Sequence, residues 1–262
     1  MSNWKELANE LKELLQLDSE AIAVKRMESK KGLMDIPGIE KPESAFTYCQ
    51  LPYLVRKEGK TIGITKDDAT PLAEKMQLRY RCLRIQGLAP ADENQIEHEA
   101  KGFNGFWFGS YETAKQAVSS YSKPSKIEAL VLSPLVEEKV EPEYVMVYAN
   151  GGQMTVLMNG LQYFEYEKID SSFSGEGSCT DALPRCVETN KPSLCLPCLG
   201  ERSFGRVNND EMVIAMPADR LERTVKGLKA MKENGLGYPI GHLEAGMDVT
   251  PLFEQWYPIQ EK

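Results

Sequence analysis

Two apolar runs near the middle of the chain set the frame for its fold. IEALVLSPL at 127–135 and EYVMVYA at 143–149 are dense in Val, Ile, Leu and Tyr, the composition of strands in a covered sheet. Amphipathic helices flank them. Trp4, Leu7, Leu11 and Leu14 fall at helical spacing near the start, and Leu221, Val225, Leu228 and Met231 repeat the stripe near the end, with Gly235 just beyond it. AIAVKRM at 21–27 and EMVIAMP at 211–217 add two further strands. Strands interleaved with helices imply a mixed α/β (α+β) fold. We expect a single domain over 1–262, with a mixed sheet, flanking helices and an irregular cysteine-bearing segment at 171–206.

The remaining stretches are assigned more coarsely. ESKKGLMDIPGIEKPE at 28–43 reads as a loop, and AFTYCQLPYLV at 45–55 as a helix bent by Pro52. EGKTIGIT gives a turn and a strand, DDATPLAEKMQL a helix start, RYRCLRIQGL a strand and YETAKQAVSSY a helix. The aromatic run FNGFWFG at 103–109 reads as packing under a loop. Asn150-Gly151-Gly152, between a strand and a helix, carries neither GxGxxG nor GxxxxGK[ST], and reads as a tight turn.

Composition excludes some functions. A net charge of −8 argues against a general nucleic-acid binder, which needs a basic footprint. The polar start MSNWKELANELKELLQL lacks the apolar core of a signal peptide, and no run approaches the length of a membrane helix. The expectation is a cytoplasmic chain without membrane or nucleic-acid partners, its apolar content permitting a homodimer. His98 and His242 stand alone, without a metal-type neighbour, and read as surface or satisfied structural residues.

The cysteines carry the functional signal. Four of the six, Cys179, Cys186, Cys195 and Cys198, fall in one stretch, separated by six, eight and two residues. In a reducing compartment such a cluster points to metal or redox chemistry. Thiolates hold iron–sulfur clusters, [4Fe–4S] among them. They also hold structural zinc, commonly through paired CxxC-like knuckles, and CxxC alone supports thiol–disulfide chemistry. Only Cys195 and Cys198 form such a knuckle, and LGERSFGRVNND after it looks a poor helix, against a thioredoxin-like arrangement. The wide spacing and the nearby glycines favour an iron–sulfur cluster, with structural zinc or a thiol-dependent (CxxC) enzyme or anion-binding protein as the alternatives and buried, unliganded thiols as the plain reading. Arg185, Arg202 and Gly200 are the candidates for anion or sulfur contacts around it. Asp181 is expected to cap a helix from Ala182, with Pro184 in its first turn, and residues 208–211 to form a solvated turn. Cys49 and Cys82 read as buried small hydrophobes, either of which could instead reach the site.

The run from Ser178 to Leu228 resembles the DUF169 family of prokaryotic proteins of unknown function. The likeness rests on Cys179 with Asp181, on Cys198-x-Gly200-x-Arg202, on the strand Glu211 to Pro217 and on the helix after it. The opening helix, the AIAVKRM strand and a Cys49-bearing helix followed by Gly59-Lys60 and a strand are similar too. Cys186 and Cys195 depart from the family's pattern. The resemblance implies a single folding unit and no established reaction. Its members are common in anaerobes, which suits an oxygen-sensitive cluster. The expected function is an iron–sulfur protein whose cluster, held by Cys179, Cys186, Cys195 and Cys198, meets a redox partner or a small-molecule ligand.

Overall fold

The computed structural model describes residues 3–42, 46–68, 84–89, 93–175 and 177–256. Its centre is a seven-stranded mixed sheet. Strands β1 (Ile22–Met27), β2 (Ile39–Glu40), β3 (Thr61–Thr65), β4 (Ala129–Pro134), β5 (Tyr144–Asn150), β6 (Ser193–Cys195) and β7 (Glu211–Pro217) lie in the order β2-β3-β4-β1-β5-β7-β6. The β2–β3 pair is parallel and every other pair antiparallel.

Strand alternation sends side chains to two covered faces. Val145, Val147 and Ala149 pack on one face under α1 (Trp4–Leu15), α5 (Gly151–Gln162) and α8 (Leu221–Glu233). Met146 and Tyr148 point the other way, into a cluster with residues of α2 (Gln50–Glu58), α3 (Glu93–Phe103), α4 (Tyr111–Ser119) and α6 (Leu183–Thr189). Cys49, Cys179, Cys186 and Cys195 all belong to this second face. Two short helices, α7 (Leu199–Phe204) and α9 (Thr250–Trp256), complete the described residues. None of the described helices is long and apolar enough to cross a membrane.

The amphipathic stripes and the four apolar strands form as expected, and several expectations need correction. Pro52 does not bend a helix; it sits in the first turn of α2, where its missing N–H costs nothing. The 28–43 loop contributes the edge strand β2. Residues 84–88 form no strand, while positions 69–83, including Cys82 and most of the DDATPLAEKMQL helix, lie outside the described residues. The 171–206 segment is more regular than expected, holding α6, β6 and α7. Asp181 does not cap α6: its carboxylate accepts from Ser172 Oγ and from the Ser174 amide and hydroxyl instead. Glu211 is not solvated; it is buried against Arg56.

Candidate functional site

Three thiols from three separate segments meet on the second face of the sheet. Cys49 immediately precedes α2, Cys179 ends a 3-10 turn at Gly177–Cys179, and Cys198 is the N-cap of α7. Cys49 Sγ and Cys179 Sγ stand 3.9 Å apart, well beyond the ~2.05 Å of a disulfide. The Cys198 thiol interacts with the Cys49 side chain, which makes Cys49 the shared member. Gly200 faces both: a Cβ there would lie 3.5 Å from Cys198 Sγ and 3.6 Å from Cys49 Sγ. Cys49 and Cys179 are buried and Cys198 is part-exposed, so the group opens to solvent at the start of α7.

A buried carboxyl holds two of these segments together. Glu201, at N3 of α7, is 1 % exposed. It accepts from the amides of Ser178 (2.9 Å) and Cys198 (3.0 Å), from Ser178 Oγ and from Tyr148 OH (3.4 Å). The Cys198–Glu201 reciprocity is a capping box, with sulfur in the place of the usual hydroxyl. It lets a six-residue helix form where the sequence alone, with its two glycines, is expected to make a poor one. Gly177 makes the approach possible: φ is +64°, and a Cβ would run into the Glu201 carboxylate and stand 2.6 Å from the Cys198 amide nitrogen. Gln86 secures the Cys179 turn by donating to the Cys179 carbonyl at 3.2 Å.

The local field favours protons on sulfur. Cys198 is held above the usual thiol range by its Cys49 contact, by burial and by Glu201. Burial, then the charges of Glu201 and Asp181, pushes Cys195 up, and burial does the same for Cys186. Glu201 itself is raised, chiefly by burial. Cations do not offset this. Arg202 donates to the carbonyls of Asn208 and Glu211, and Arg185 to that of Asp170. Arg56 is committed to Glu211 at 2.7 and 3.2 Å and lies 4.5 Å from the Tyr148 ring centre. An activated thiolate needs the opposite, an electropositive setting, so these are poor nucleophiles.

The structure therefore groups the sequence candidates differently. Cys179 and Cys198 meet, through Cys49. Cys186 and Cys195 are 0 % exposed and packed in the apolar cluster. Among the described residues no hydrogen-bond contact joins either to another thiol, and no group of three His, Cys, Asp or Glu is placed to hold a metal ion. Gly200 faces the thiols, whereas Arg202 and Arg185 brace loops. The sequence leaves Cys49 open as a member of the site and gives no place in it to Glu201 and Tyr148; the Cys198-x-x-Glu201 capping spacing is the available signal for one of them. Asn150-Gly151-Gly152 is a capped turn: Asn150 accepts from the Gln153 amide at 2.9 Å and donates to Tyr238 OH at 3.2 Å. His98 and His242 are exposed. Phe103 is buried, Trp107 and Phe108 pack against the core, and Phe106 stays exposed.

Fold and site together define a single-sheet α/β protein with buried thiols grouped beside one exposed helix start. The chain belongs to the DUF169 family, described as uncharacterised ArCR, whose match covers residues 10–227. It is similar to an uncharacterised protein of Methanocaldococcus jannaschii, 24 % identical over 234 residues, which span 87 % of this chain and 95 % of that protein. No solved structure matches it.

Proposed function

We propose that this chain is a thiolate metalloprotein carrying an iron–sulfur cluster at the largely buried site of Cys49, Cys179 and Cys198. The observation that carries the reading is the convergence of three thiols from distant segments at a part-exposed edge. The chemistry a cluster brings is electron transfer or Lewis acidity. The chain's own residues fix its ligands, through the Glu201 clamp on the Ser178 and Cys198 amides. Occupancy requires Cys179 and Cys198 to turn toward a common centre. Exposed Leu196, Leu199 and Phe204 flank Cys198 and suit the docking of a redox partner. A cytoplasmic setting keeps the thiols reduced.

A single zinc ion is the second reading, favoured by one distance. Tetrahedral zinc with ~2.3 Å bonds spaces its sulfurs by roughly 3.8 Å, close to the 3.9 Å between Cys49 and Cys179. Against it, Cys195 is buried in β6 and does not act with Cys198 as a zinc knuckle.

The test is metal and sulfide analysis with an absorption spectrum on protein purified without oxygen. A brown protein with iron and acid-labile sulfide is expected, lost in Cys49→Ser, Cys179→Ser and Cys198→Ser but kept in Cys186→Ser. Stoichiometric zinc without sulfide replaces the cluster by the second reading. Protein free of both metals overturns the proposal.

A further inference from the structure

A groove of about 350 Å³ runs beside the thiol site, between α2, the β2–β3 edge of the sheet and the end of α7. That volume lies in the range of small-ligand sites. Its apolar lining includes Phe46, Leu54 and Phe204. Phe204 is also the ring nearest Gly200, 3.8 Å from a Cβ built there, so one wall of the groove adjoins the glycine that faces the thiols.

The charges in the groove are unequal in their commitments. Lys41 pairs with Asp68 at 2.5 Å and Lys60 with Glu40 at 3.4 Å. Arg206 is different. It is exposed, its backbone is left-handed at φ +47°, and its guanidinium lies over Tyr53, 5.3 Å from the ring centre, with one N–H donated to Tyr53 OH at 3.1 Å. Among the described residues no carboxylate reaches it within ion-pair distance. One of its five N–H groups is thus used, and the planar fork is held in place by an aromatic ring. A non-glycine residue in the left-handed region carries strain, found where a side chain must be aimed. Glu58 lines the same groove and disfavours a second negative charge on a ligand.

We propose that this groove binds a small monocarboxylate with an apolar body, its head on Arg206 and its body against Phe46, Leu54 and Phe204. The assignment stands independently of the metal at the thiol site. If both hold, Phe204 is shared between the groove wall and the side of Gly200 that faces the thiols.

Titration of the purified full chain with phenylacetate, benzylamine and inorganic phosphate, followed by protein NMR, tests it. Phenylacetate is expected to bind saturably at millimolar concentration and to shift the signals of Tyr53 and Phe204, with benzylamine and phosphate weaker by roughly tenfold or more. Arg206→Gly removes the backbone strain with the guanidinium, so it should melt no lower than the wild type yet lose phenylacetate binding by roughly tenfold. Absence of phenylacetate binding, equal binding of benzylamine or phosphate, or full binding by a folded Arg206→Gly variant each overturns the proposal.

Discussion

Replacing Glu201 separates its role as a hydrogen-bond acceptor from its charge. The carboxyl is 1 % exposed and accepts four bonds. In Glu201→Ala the hydroxyls of Ser178 and Tyr148 can rotate to other partners. The Ser178 and Cys198 amides cannot, because their backbones are fixed in a 3-10 turn and a helix cap. A buried N–H left unmade costs about 1–3 kcal/mol; the Ser178 amide is buried and the Cys198 amide part-buried, so Glu201→Ala should lose about 2–4 kcal/mol. Glu201→Gln should lose under about 1.5 kcal/mol. Its amide oxygen can take the place of Oε2 and keep both N–H bonds, while its NH₂ faces the two hydroxyls, which can accept. The charge shows separately. Burial raises the Glu201 pKa above its usual 4.5, so the folded chain holds this proton at pH values where the unfolded chain has released it. The contribution is fully present below the unfolded value and is lost as pH rises through the folded one. The stability of wild type relative to Glu201→Gln should therefore fall as pH rises upward from 4.5. Urea unfolding of the three proteins at several pH values measures both effects. An alanine variant within about 1 kcal/mol of wild type, or a glutamine variant as damaged as the alanine one, refutes the clamp.

Two further expectations concern the scaffold. In Gly227→Ala the new methyl would stand 2.9 Å from Tyr163 Cβ and 3.0 Å from the Gly160 carbonyl carbon, where α8 crosses α5. Overpacking there should cost about 1–3 kcal/mol or more, read as a lower urea midpoint at unchanged slope; an unchanged midpoint would show that the helices can part freely. Arg56→Met strands the buried Glu211 carboxylate and should cost about 3–5 kcal/mol, much of it recovered in Arg56→Met/Glu211→Leu. Thermal melts of both proteins check this, and a double variant no better than the single one contradicts it.

Much of the scaffold is legible from period alone. β4, β5 and β7 are long apolar runs, and the buried stripe of α8 at Leu221, Val225, Leu228 and Met231 is the one its spacing predicts. Elements defined by their neighbours are not legible. β2 has two residues and β6 three, and each exists because a longer strand offers it a ladder. The helix α3 was readable but missed: Ile96, Ala100 and Phe103 fall at i, i+4 and i+7 along an otherwise charged run, and they pack on the core.

The site fails to show in the sequence for a different reason. Clustering along the chain is not clustering in space, because secondary structure intervenes between the two. Leu194 and Cys195 are adjacent on β6, so alternation sends Leu194 to the face of α1, α5 and α8 and Cys195 into the opposite core. Cys198, three residues on, begins a helix at the surface. The sulfur that joins Cys198 to Cys179 comes from Cys49, 130 positions before Cys179, because β1, β5 and β7 are neighbours in the sheet and bring the start of α2 against the segment ahead of β7. A spacing rule sees two residues in Cys195-x-x-Cys198 and infers a chelate. The sheet assigns one of them to packing and leaves the other to find its partners across the fold.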